Sequence, residues 1–139
     1  MASSSAHVKL FSRVARERLD DASFLLTDEP PRTTAAVYLC GYVVECVLKA
    51  LILSAVPRAK EASVLASFRG VSAHDYDILL KRYREEGGAA VPRAIVDRLE
   101  DVGGWTVNLR YSPRRVERQE AADFLEAARE ILEWAEARF

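Results

Sequence analysis

Residues 34–56 read TAAVYLCGYVVECVLKALILSAV, and this stretch decides the fold. It is apolar on every side except at Glu45 and Lys49, four residues apart. A helix that is hydrophobic all round belongs in the interior. Two charges on such a helix each cost several kcal/mol unless they are paired, roughly 2–7 kcal/mol even for an unpaired neutral polar group. Glu preceding Lys by four is the favourable order for a helical ion pair. The stretch is long enough to cross a membrane. Charges near its middle, each costing about 2.5–3.5 kcal/mol on insertion scales, and amphipathic segments on both sides favour a buried core helix. No membrane association is therefore expected.

Working outward, residues 7–27 carry Val8, Phe11, Ala15, Leu19, Ala22 and Leu26 at steps of three or four, which predicts a helix. Asp28-Glu29-Pro30-Pro31 ends it, and Thr33 or Thr34 is positioned to cap the central helix. Pro57 terminates that helix. A short helix is expected near Lys60–Phe68. Ser72-Ala73-His74-Asp75 reads as a capping box opening another helix, whose apolar side is Tyr76, Leu79, Leu80 and Tyr83 and which Gly87-Gly88 closes. Pro92 suits the first turn of the next helix, with Val91, Ile95, Leu99 and Val102 facing inward and Gly103-Gly104 as the stop. The last helix is expected from about Val116 to the C-terminus. Trp105–Leu109 is the sole strand candidate, and it has no obvious partner. Residues 1–139 therefore read as one all-α domain, with the second helix at the centre of a bundle.

Composition narrows the function. The chain has 139 residues, half of them hydrophobic, enough for one domain with a real core. Twenty Lys and Arg against twenty-one Asp and Glu leave a formal net charge of −1, which argues against broad electrostatic binding to nucleic acid but permits a local basic patch. Cys40 and Cys46 would lie about 9 Å apart along a helix, too far for a disulfide, and read as buried thiols of a reducing cytoplasm. No Cys/His spacing suits a metal, no cofactor motif is visible, and Met1–Ala6 shows no secretory pattern.

Three features could carry chemistry. Tyr38, Tyr42, Glu45 and Lys49 share one side of the central helix, with Gly41 beside them to admit a close neighbour. They form either an internal ion pair with two satisfied tyrosines, or a polar pocket in which Glu45 orients an Arg or His from elsewhere. Residues 105–118 hold Arg110, Arg114, Arg115 and Arg118, with Trp105 and Tyr111 among them. Guanidinium groups suit phosphates and aromatics stack on bases, although a solvated basic loop and an acidic partner protein are alternatives. His7 is expected in a frayed terminus. His74 is expected in the first turn of a helix, where the dipole disfavours its protonation.

Together these residues resemble a HEPN domain (higher eukaryotes and prokaryotes nucleotide-binding domain). The similarity lies in Arg18-Leu19-Asp20-Asp21-Ala22, in the run from Ala36 through Tyr38, Gly41, Tyr42, Glu45 and Lys49 to Ala50, and in His74-Asp75. It continues in Trp105…Arg110-Tyr111-Ser112-Pro113 and in Ala122–Arg129. The resemblance implies an up-and-down four-helix bundle with one or more additional short helices, and a homodimer, often encoded beside a nucleotidyltransferase-type partner protein in toxin–antitoxin or defence systems. Active members are metal-independent endoribonucleases whose signature is Arg, four to six residues, then His, at the start of the last major helix. This chain has no His after Arg110, Arg114, Arg115 or Arg118; its one literal match, Arg69 to His74, precedes a middle helix.

The resulting expectation is a domain that binds nucleotide, RNA or a partner protein. Its pocket would combine Glu45, Lys49, His74, Arg110 and Tyr111, with Trp105, Arg114 and Arg115 nearby. Arg110 would contact phosphate and be held by Glu45, and Tyr111 or Trp105 would stack on a base. One alternative is a ribonuclease with His74 as base and Arg69 or Arg110 stabilising the phosphorane. The other is a non-catalytic dimerising or docking module.

Overall fold

The computed structural model describes residues 4–139. Part of the Met1–Ala6 segment discussed above lies outside the described residues. Among the described residues six α-helices follow one another: α1 (Ala6–Leu25), α2 (Thr33–Ala55), α3 (Arg58–Ala66), α4 (Tyr76–Glu85), α5 (Arg93–Asp101) and α6 (Arg118–Glu136). Two 3-10 turns, Val71–His74 and Val107–Tyr111, precede α4 and α6. No strand occurs among the described residues; the Trp105–Leu109 candidate enters the second 3-10 turn instead. The architecture is an all-α bundle with additional short helices.

The bundle is built around α2, against which α1, α4 and α6 all pack. Every residue from Val43 to Leu53 is buried. The most apolar window of α2 would suffice for a membrane span by length and hydropathy, yet 83% of it is buried inside the bundle. The periodic faces of α1 and α6 cover it, through Val8, Ala15, Leu19 and Ala22 on one and Ala121, Leu125, Ala128, Ile131, Leu132 and Ala135 on the other. Cys40 and Cys46 are buried free thiols, each pushed up to about 12 chiefly by burial.

Four local expectations need correction. Thr33 and Thr34 do not cap α2. The helix begins at Thr33 itself, with Arg32 as its uncapped entry. The two hydroxyls instead tie down the extended segment before α6: Thr33 Oγ1 donates to the Val116 carbonyl at 2.6 Å and Thr34 Oγ1 to that of Arg114 at 3.0 Å. Thr34 Oγ1 also accepts from the Val116 amide at 3.0 Å. That segment has no helical bonding of its own, so the threonines satisfy backbone groups that would otherwise be orphaned.

Because residues 112–117 are spent in this connection, α6 starts at Arg118 and not near Val116. Nor does Ser72 open α4. Gly70, at φ +73°, turns the chain into the first 3-10 turn, and Asp75 becomes the cap, its carboxylate accepting from the Ile78 amide at 3.1 Å. His74 therefore lies before the helix and not in its first turn. Finally, His7 is no frayed residue. It lies within α1, whose cap is Ser5, and its Nδ1 is 2.9 Å from the buried Glu61 of α3.

Candidate functional site

Glu45 and Lys49 are the chemically expensive residues of the core. Their side chains retain only 6% and 8% exposure, and Lys49 Nζ donates to Glu45 Oε2 at 2.9 Å. The second carboxylate oxygen takes a different partner. The Val71–His74 turn delivers His74 Nδ1 to within 2.6 Å of Oε1. A carboxylate accepts and does not donate, so Nδ1 is the donor of this contact. The imidazole is 38% exposed. A buried carboxylate thus fixes the plane of a ring that solvent reaches. The Lys49 ammonium lies 5.4 Å from the Phe68 ring centroid, a cation–π neighbour on its other side.

Above this ionic group lies a layer of aromatic rings, and Gly41 makes room for it. A Cβ at residue 41 would come within 1.8 Å of Trp105 Cε2, so only glycine lets the indole rest on α2. Trp105 stacks on Tyr76 with centroids 5.6 Å apart and planes 6° from parallel, and the Tyr76 hydroxyl donates to the Gly41 carbonyl at 2.6 Å. Tyr42 meets the Trp105 ring edge-on at 5.3 Å and lies 6.4 Å from His74. Tyr38 and Tyr42 share a hydroxyl–hydroxyl bond of 3.0 Å. Burial, then the Tyr38 hydroxyl, raises the Tyr42 phenol to about 12, so it remains a neutral hydroxyl. The Trp105 indole N–H is buried with no acceptor among the described residues, at a cost of about 1–3 kcal/mol.

At the far end of this strip stand Arg110 and Tyr111, from the second 3-10 turn. The guanidinium sits 4.8 Å over the Tyr111 ring. Tyr111, and then Tyr38, favour its charged form further. Tyr111 is 75% exposed. The surface therefore presents, in succession, the His74 imidazole, the Tyr42 and Tyr38 hydroxyls, the Arg110 guanidinium and the Tyr111 ring.

The residues expected to share one pocket are distributed differently. Glu45, Lys49 and His74 come together, but Glu45 does not hold Arg110, because Lys49 and His74 engage its two oxygens and Arg110 reaches Tyr38 and Tyr111 instead. Arg69 is exposed, and no hydrogen bond or ion pair among the described residues joins it to His74. Arg114 turns toward Glu120 at 3.0 Å. With Arg115 it borders a cavity of about 230 Å³ beside the start of α2. A larger groove of about 1070 Å³ lies between α5, the connection after it and α6; Trp105 and Arg114 line it, while Glu45, Lys49, His74, Arg110 and Tyr111 do not. Among the described residues no group of three His, Cys, Asp or Glu side chains is arranged to hold a metal ion.

Sequence reasoning missed Tyr76, whose part depends on a contact thirty-five residues away at Gly41. It also missed Phe68. The available signal was Gly41 itself, which marked a close approach without naming what approaches.

No curated protein and no solved structure matches the chain. The family model of the HEPN domain does, over residues 8–138. That match spans α1 to α6 and includes every residue of the strip from His74 to Tyr111. The chain belongs to the HEPN domain family.

Proposed function

We propose that this HEPN domain binds single-stranded RNA or a nucleotide along the strip from His74 to Tyr111. The observation that carries the reading is the juxtaposition of Arg110 with an exposed Tyr111 ring, reached from a carboxylate-oriented imidazole through two tyrosine hydroxyls. A guanidinium fits a phosphate, an exposed aromatic face accepts a base, and the hydroxyls between them suit ribose or phosphate oxygens. The low net charge fits a short contact better than an extended groove. Fluorescence anisotropy with short single-stranded RNA tests it. Arg110→Ala should weaken binding roughly ten-fold or more and flatten its salt dependence, because one charge-assisted contact is worth about 1.5–3 kcal/mol. Tyr111→Ala should weaken binding by a similar factor, since one stacked base is worth about 1–3 kcal/mol. Unchanged affinity in both variants overturns the assignment.

A second reading, RNA cleavage, is favoured by the Glu45–His74 bond alone. In it, Nε2 of His74 takes the proton of a ribose 2′-hydroxyl. That oxygen attacks the adjacent phosphate, Arg110 neutralises the charge on the phosphorane, and the 5′-oxygen leaves with a proton from water or the imidazolium. Chelator-resistant cleavage abolished by His74→Ala supports this reading. Absence of growth arrest on expression in bacteria counts against it.

For its setting we propose a toxin–antitoxin or defence system, with the chain as a homodimer beside a nucleotidyltransferase-type partner, as the HEPN resemblance implies. Sedimentation and co-purification with the product of a neighbouring gene test both points.

A further inference from the structure

The groove between α5, residues 102–112 and α6 has no part in RNA binding as proposed above. At about 1070 Å³ it exceeds the usual span of small-molecule sites, about 300–1,000 Å³. Its floor is apolar, with Val102, Leu109, Phe124 and Ala127 among the lining. Its rim is acidic. Both rim arginines are already committed, Arg98 to Asp101 at 3.0 Å and Arg114 to Glu120 at 3.0 Å. Two further exposed carboxylates of the rim stand on α6, and of these only Asp123 has no cationic partner among the described residues. Asp123 is met by the neutral Gln119 amide at 2.8 Å, and Glu126 by Arg129 of its own helix at a loose 3.7 Å. Three residues apart, they stand on one face of α6 as neighbours. A phosphate backbone is repelled by this rim, whereas a cationic side chain is drawn to it.

We propose that the groove seats a basic amphipathic helical segment of a partner protein. Its apolar side chains rest on Leu109 and Phe124, and its Lys or Arg side chains face Asp123 and Glu126. An oily floor with charges on one wall is what such a helix requires of a receptor. Apolar contacts supply affinity, and the carboxylates set polarity and on-rate.

The test uses the full chain and a fluorescein-labelled peptide of about fourteen residues, four turns of helix, with Leu at i, i+3, i+4 and i+7 and Lys elsewhere. Controls are the same residues in scrambled order and a Leu/Glu counterpart. The Leu/Lys peptide should bind roughly ten-fold tighter than the scrambled one, and the Leu/Glu peptide should fail to bind. Amide shifts should centre on Leu109, Phe124 and Ala127. Asp123→Lys with Glu126→Lys should cost roughly ten-fold or more, while Arg110→Ala leaves peptide affinity unchanged. Both substituted side chains are exposed, so circular dichroism should show the variant folded. Equal binding of all three peptides, or shifts confined to other surfaces, overturns the proposal. So does loss of a dimer in sedimentation of the Lys variant, which would make the occupant a second copy of this chain.

Discussion

Glu45 and His74 are twenty-nine residues apart in the chain, and their side chains meet at 2.6 Å, with the carboxylate buried and the imidazole half-exposed. The contact links the most hidden charge of the bundle to its surface. Lys49 completes the arrangement by balancing the carboxylate from one turn further along α2.

The first prediction separates the structural from the functional role of that group. Glu45→Gln leaves the Lys49 ammonium buried without a counter-charge and should destabilise the fold by roughly 3–5 kcal/mol in urea denaturation. Glu45→Leu combined with Lys49→Met removes both charges and fills similar volume. Its stability should return to within about 1 kcal/mol of the parent or exceed it. The double variant should nevertheless bind RNA less tightly than the parent, because His74 has lost the acceptor that fixes its ring. Full RNA affinity in that variant would reduce the ion pair to a structural element.

The second prediction concerns Gly41 and Trp105, and its sign depends on the background. In the parent, Gly41→Ala drives a methyl group into the indole and should cost about 1–3 kcal/mol, with a shift in tryptophan emission. In a Trp105→Ala background the ring is absent. The same substitution should then stabilise by up to about 1 kcal/mol, the ordinary helix preference for alanine over glycine. A double-mutant cycle on urea midpoints reads the reversal. Additive effects would mean that the ring does not rest on residue 41.

These two residues also mark how far the sequence could be read. The central helix was legible because nothing but burial accommodates a run such as Val43–Leu53, and the covering helices were legible from their periodicity. The Glu45–Lys49 pair followed from helical spacing alone. What could not be read was the conformation of residues 67–75 and 102–117. There, short turns with no period decide which side chain arrives where. One glycine at positive φ moved the start of α4 past His74, and two threonines bonded to residues 114–116 in place of capping their own helix. Those displacements carried His74 to Glu45 and left Arg110 on the surface. The groove beside α6 was invisible for the same reason, since its floor joins Leu109 of one such turn to Phe124 of a helix.

The third prediction lies at the other end of the molecule, where α1 and α3 are joined by Glu61. This carboxyl is buried, accepts from the Ser5 hydroxyl and faces His7 Nδ1 at 2.9 Å, with Arg58 also near. The Ser5 hydrogen bond, followed by His7, holds it below the ordinary carboxylate value of 4.5 against the opposing effect of burial. A carboxyl depressed in the folded state binds fewer protons there than in the unfolded chain. Its contribution is therefore complete above about pH 4.5 and disappears as pH falls through the lowered value. Glu61→Gln should be less stable than the parent at neutral pH, and its urea midpoint should fall less steeply between about pH 5 and pH 3. Ser5→Ala should reduce the same slope in part, since it removes the largest cause of the shift. A Glu61→Gln midpoint that follows the parent curve throughout the acid range would show that the α1–α3 contact does not depend on that charge.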